Sequence, residues 1–125
     1  MKILIVEDQP DLRKLMRLTL EQDDHEVHDA VDADAGWQAV LDLQPDLALL
    51  DIMMPGRIDG LDLCRRIRGD ARTQAMKVVL VTARGHRNDM VTGMDAGADD
   101  YLLKPFSPLR LLEIVEQLGS SGRGG

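Results

Sequence analysis

Short apolar runs, almost unbroken by polar residues, recur along this chain, and most stop abruptly at a charged or hydroxyl-bearing residue. Ile3–Val6 runs into Glu7-Asp8, Leu47–Leu50 into Asp51, Val78–Val81 into Thr82, and Tyr101–Leu103 into Lys104-Pro105. Runs this short are strand-sized, and their unbroken apolar character is that of parallel strands covered on both faces. The stretch around Val27 makes a fifth strand. Between them lie segments of helical period. Leu12, Leu15, Met16 and Leu20 share a face after Pro10 and Asp11, suited to a first helical turn. Ala35, Ala39, Val40 and Leu43 form a second stripe, ended by Pro45. Leu61, Cys64 and Ile67 form a third behind Asp59-Gly60, and Met90, Met94 and Ala98 a weaker fourth. Leu111, Leu112, Val115 and Leu118 form the last, with Gly119 as its stop. Strands alternating with helices predict an α/β fold, a doubly wound parallel sheet with right-handed crossovers.

Composition narrows the function. With 125 residues, 44% hydrophobic and 30% charged, the chain is expected to build one domain over residues 1–118. Residues 119–125, GSSGRGG, read as a flexible tail or the start of a linker to an output domain. A net charge of −7 argues against direct nucleic-acid binding, which needs a basic stripe to displace counterions. Three scattered histidines and one cysteine give no zinc-ligand spacing, and His25, His28 and His86 read as surface residues. Cys64, unable to form an internal disulfide, points to a reducing compartment. No segment is long enough to span a membrane, so a cytoplasmic location is expected. Trp37, off its helix's stripe, reads as a partly exposed packing residue, and the methionines, Met53 and Met54 included, as core and loop filler.

In doubly wound sheets, ligands sit outside the carboxyl ends of the strands. Glu7, Asp8, Asp51, Thr82 and Lys104 all occupy that rim. Singly, each has an ordinary explanation: acids after strands cap helices, and a lysine before proline is usually a surface lysine. Capping does not require a lysine and a hydroxyl at the same rim. Two carboxylates about 4 Å apart repel by roughly 4 kcal/mol at an effective dielectric near 20, so three need a cation beyond Lys104. Ligands that are all oxygen indicate Mg²⁺, with Mn²⁺ as an alternative. A hard cation beside a carboxylate suits phosphoryl transfer, and a carboxylate is a competent phosphoryl acceptor. Asp51, central on the rim, is the best-placed nucleophile.

Ile3-Leu4-Ile5-Val6-Glu7-Asp8, Leu49-Leu50-Asp51-Ile52-Met53-Met54-Pro55-Gly56, Val81-Thr82-Ala83 and the run Asp95 to Phe106 resemble the segments of response-regulator receiver domains, the CheY-like family of two-component systems. The resemblance covers about residues 2 to 118. It implies the (βα)5 flavodoxin-like fold with strand order 2-1-3-4-5. It implies that Asp51 takes a phosphoryl group from phosphohistidine on a sensor histidine kinase or a histidine phosphotransfer protein. Mg²⁺ would be held by Asp8, Asp51 and the backbone carbonyl of Met53, with Glu7 in contact directly or through water. Lys104 would pair with Asp51 and then with a phosphoryl oxygen, Thr82 would donate its hydroxyl, and Tyr101 would change rotamer with it. Lys104-Pro105 is expected to be cis. The readout face, for a downstream effector or fused output domain, would comprise the Met90 helix, the Tyr101 strand and the Leu111 helix.

One departure stands out. Gly56, Arg57 and Ile58 separate Pro55 from Asp59, one residue more than the family's usual spacing. Met53 and Arg84 supply no acceptor for an attacking water, so slow loss of the phosphoryl group is expected. Two rival readings differ in class. A flavodoxin-like cofactor carrier would need a Gly- or Ser/Thr-rich phosphate cradle where this chain has Glu7-Asp8-Gln9-Pro10. A pseudo-receiver, an unphosphorylated docking module, is opposed by the presence of Asp8, Asp51, Thr82 and Lys104 together.

Overall fold

A computed structural model of the chain describes residues 1–54, 56, 58–83 and 95–121. The strands are β1 (Lys2–Val6), β2 (Glu26–Ala30), β3 (Leu47–Asp51), β4 (Lys77–Thr82) and β5 (Asp100–Leu103). All pair in parallel, in the order β2-β1-β3-β4-β5. The helices among the described residues are α1 (Pro10–Glu21), α2 (Ala33–Leu43), α3 (Gly60–Gly69) and α4 (Pro108–Ser121). The helix expected around Met90 and Met94 lies outside the described residues, so the architecture seen is a five-stranded parallel sheet with four helices.

The unbroken apolar runs follow from the sheet being covered twice. Successive side chains of a strand alternate between faces. Ile3, Ile5, Leu47, Leu49, Val79, Val81 and Leu102 point to one side, against Met16 and Leu20 of α1 and Leu111, Ile114 and Val115 of α4. Leu4, Val6, Ala48, Leu50, Val78, Leu80 and Tyr101 point to the other, against Val40 of α2 and Leu63, Cys64 and Ile67 of α3. Burying each large aliphatic side chain contributes about 1.5–3 kcal/mol.

The helical stripes need correction. On α1, Leu15 is 45% exposed and Thr19 is buried instead. The Thr19 hydroxyl donates to the Leu15 carbonyl at 2.8 Å, which lets a polar residue face the core. On α2, Ala35 is exposed and Gly36 faces the sheet, where a Cβ would come within 2.9 Å of a Val6 methyl. Trp37 is half-buried as expected, with Arg66 over its ring at 5.6 Å. On α3, Leu63 is fully buried while Leu61 is half-buried. Ala98 is not helical; it follows the turn at Gly97, whose φ is +98°. Gly119 does not stop the last helix, which continues to Ser121.

Candidate functional site

Strand register assembles the rim. Val6 lies opposite Leu50, Asp51 opposite Val81, and Thr82 opposite Leu103, so Glu7, Asp51, Thr82 and Lys104 emerge at one end of four adjacent strands. Asp51 is 2% exposed and Glu7 is 1% exposed. Glu7, Asp8 and Asp51 each place a carboxylate oxygen within 4.8 Å of the others. Lys104 Nζ sits over this cluster, 3.1 Å from Glu7 Oε1 and 3.2 Å from Asp51 Oδ2. The other Asp51 oxygen, Oδ1, accepts the Met53 N–H at 3.0 Å, turning the chain back over the carboxylate. The Lys104 N–H donates to the Thr82 carbonyl at 2.7 Å, and the Lys104–Pro105 peptide is cis, as expected. Thr82 is buried at the end of β4, and Tyr101 is buried on β5 opposite Leu80.

Among the described residues, three carboxylates face one ammonium. Burial and the nearby Asp51 carboxylate push the Glu7 carboxyl up to about 7, despite the opposing pull of the Gln9 N–H and Lys104. Burial alone would depress the Lys104 ammonium, but Asp51 and Glu7 outweigh it and its pKa is raised. Glu7 Oε1 is fully buried yet accepts no hydrogen bond among the described residues; the approach of Lys104 has ion-pair distance without hydrogen-bond geometry. An orphaned buried carboxylate oxygen beside two further carboxylates fits a hard divalent cation, because the donors are all oxygen and the excess charge is negative.

Two contributors escape sequence reasoning. Gly60, first residue of α3, lies against the end of β3 so closely that a Cβ would come within 2.2 Å of the Asp51 carbonyl oxygen. Its position after Asp59 marked a helix start, and nothing in the pattern marked the contact. Arg13 on α1 donates to the Glu7 carbonyl at 2.9 Å. The expected Pro55–Asp59 loop is described only at Gly56, Ile58 and Asp59; Pro55, Arg57, Arg84 and His86 lie outside the described residues.

With this rim established, comparison with known proteins is decisive. The family model described as the response regulator receiver domain matches residues 3–116. The chain belongs to this family. Receiver domains are signalling switches of two-component systems, and this one is 42% identical over 117 residues to the DNA-binding dual master transcriptional regulator RpaA of Synechocystis, covering 94% of this chain and 48% of that protein. A putative response regulator from Chloroflexus aurantiacus superposes with a TM-score of 0.89 at 33% identity, covering 94% of this chain and 95% of that one. The BeF3-activated N-terminal receiver domain of Klebsiella pneumoniae RstA gives a TM-score of 0.85 at 34% identity, covering 94% and 97%. The chain spans about half the length of the curated relatives it matches. No described helix of this receiver domain is long and apolar enough to cross a membrane.

Proposed function

We propose that this receiver domain accepts a phosphoryl group on Asp51 from a phosphohistidine donor, on a sensor histidine kinase or a histidine phosphotransfer protein, with Mg²⁺ as cofactor. The observation that carries this reading is Lys104 Nζ held between Glu7 and Asp51, at 3.1 and 3.2 Å, above a cluster of three carboxylates. Glu7, Asp8, Asp51 and the Met53 carbonyl would hold the ion, Mn²⁺ being an acceptable substitute. When bound, Mg²⁺ neutralises charge on the phosphoryl oxygens. An Asp51 carboxylate oxygen attacks phosphorus, the phosphorus–nitrogen bond to the donor imidazole breaks, and an acyl phosphate forms. Lys104 exchanges its contact with Asp51 for a phosphoryl oxygen, and the Thr82 hydroxyl donates to another.

Switching from 1:99 to 99:1 takes about 5.5 kcal/mol of differential stabilisation. Two charge-assisted hydrogen bonds, each contributing about 1.5–3 kcal/mol, come close to that if made mainly in the loaded state. Tyr101 would repack with Thr82, altering a face of β5, α4 and the Met90 segment that an effector or fused output domain reads. The DNA binding named for RpaA belongs to that protein; with a net charge of −7, this domain would act through a partner or output domain, in the cytoplasm, rather than touch nucleic acid itself.

The test is labelling by a small phosphodonor such as acetyl phosphate with Mg²⁺. Wild type should incorporate one phosphoryl group and Asp51→Asn none; full labelling of the variant would move the nucleophile elsewhere.

A further inference from the structure

β1 delivers Glu7 to the rim, and the Glu7 backbone is then gripped from both sides. Its N–H donates to the Ala30 carbonyl at the end of β2, at 3.1 Å. Its carbonyl accepts from Arg13 Nη1 at 2.9 Å, and its Oε2 accepts the Gln9 N–H at 3.2 Å. The helix carrying Arg13 is itself tied to this turn, since the Arg13 N–H donates to the Gln9 carbonyl at 2.9 Å. Arg13 is only 19% exposed, and its Nε lies 3.9 Å from Asp29 on β2, so its guanidinium spans from the β2 edge to the acidic turn.

We infer that Arg13 is a positioning residue for the divalent-cation site. Its hydrogen bond fixes the Glu7 carbonyl, and thereby the spacing of the Glu7 and Asp8 carboxylates relative to Asp51. The inference rests on the Mg²⁺ reading given above. The sign of the effect separates this role from simple electrostatics. Arg13 carries a positive charge near a cation site, so deleting that charge alone would tighten Mg²⁺ binding. Losing the grip on the turn does the reverse, and outer partners that orient metal ligands typically contribute about tenfold or more in affinity.

Isothermal calorimetry of Mg²⁺ binding, with thermal unfolding in chelator and in saturating Mg²⁺, tests this on wild type, Arg13→Met and Arg13→Lys. The expected result is a dissociation constant about tenfold weaker in Arg13→Met, largely restored in Arg13→Lys, whose ammonium can still donate to the Glu7 carbonyl. An unchanged or tighter constant in Arg13→Met overturns the inference, as does an equal fall in unfolding temperature with and without Mg²⁺. If Arg13→Met does not fold, Arg13→Ala, which also lacks a donor, carries the same test, with weaker binding expected and wild-type binding overturning it. Failure of the wild-type chain to bind Mg²⁺ would instead sink the metal reading.

Discussion

Burial and the adjacent Asp51 carboxylate push the Glu7 carboxyl from 4.5 up to about 7, so the folded chain holds that proton more tightly than the unfolded one does. The linkage has a definite sign. A raised pKa adds stability that is fully present below the unfolded value and is lost as pH rises through the folded value. In chelator, the unfolding free energy should therefore fall between pH 4.5 and about 7, by an amount on the order of 3 kcal/mol from this group. Glu7→Gln should flatten that slope, and urea titrations at several pH values will read it; an equally steep slope in the variant would assign the effect to another group. Met53 sets a second expectation at this scale. It is 57% exposed two residues from Asp51, the proposed phosphoacceptor, and a thioether is a weak acceptor that gives an attacking water no base. Acyl phosphate on Asp51 should decay slowly in Mg²⁺ buffer, and Met53→Glu should hasten it. Rapid decay in wild type, followed by release of labelled phosphate, would count against this account.

Among the elements, Arg68 ties α3 to the segment that leads into β5. Arg68 Nε donates to the Gly97 carbonyl at 2.7 Å, Nη1 to the carbonyls of Gln74 and Met76, and Nη2 to Asp99 at 2.6 Å. Asp99 Oδ2 also accepts the Val78 N–H at 2.7 Å, so the start of β5 is fixed to β4 through the same carboxylate. Arg68→Met would take a donor from the part-buried carbonyls of Gly97 and Met76 and the ion-pair partner from Asp99, which keeps the Val78 N–H, and should cost about 2–3 kcal/mol. Arg65→Met, which removes an exposed 3.5 Å pair with Asp62, should stay within about 0.5 kcal/mol. Chemical denaturation distinguishes them, and equal costs would remove Arg68 from this role. Sequence pattern did not reveal this joint, because Arg68 falls on a helix beside the similar Arg65 and Arg66 and its partners are backbone carbonyls. The same blindness explains the misjudged faces. Thr19 is buried because its hydroxyl finds a local carbonyl, and Gly36 because α2 runs so close to β1; hydrophobic periodicity registers neither.

For the molecule as a whole, the legible part was whatever depends on the sheet's two covered faces. Unbroken apolar runs gave β1, β3, β4 and β5, and the ends of those runs gave Glu7, Asp8, Asp51, Thr82 and Lys104, which the structure gathers on one rim. Contacts made by the backbone, such as Arg13 to the Glu7 carbonyl and Gly60 against Asp51, carry no side-chain signature and had to be seen. Backbone contact also links the rim to the proposed readout face. The Lys104 N–H is bonded to the Thr82 carbonyl, and Lys104 follows directly on β5, where Tyr101 is buried three residues earlier. A group that draws both Thr82 and Lys104 toward Asp51 must shift the β4–β5 boundary as a unit. Amide spectra should record this in two stages. Mg²⁺ alone should move signals near Glu7, Asp8 and Asp51. Beryllofluoride with Mg²⁺, standing in for the phosphoryl group, should extend the shifts through Thr82, Leu103 and Lys104 to Tyr101 and the first turn of α4. His25, Gln44 and Thr73, at the opposite end of the sheet, should stay in place. Shifts confined to the acidic turn under both conditions would mean that the site binds without switching, because the β4–β5 link would then transmit nothing.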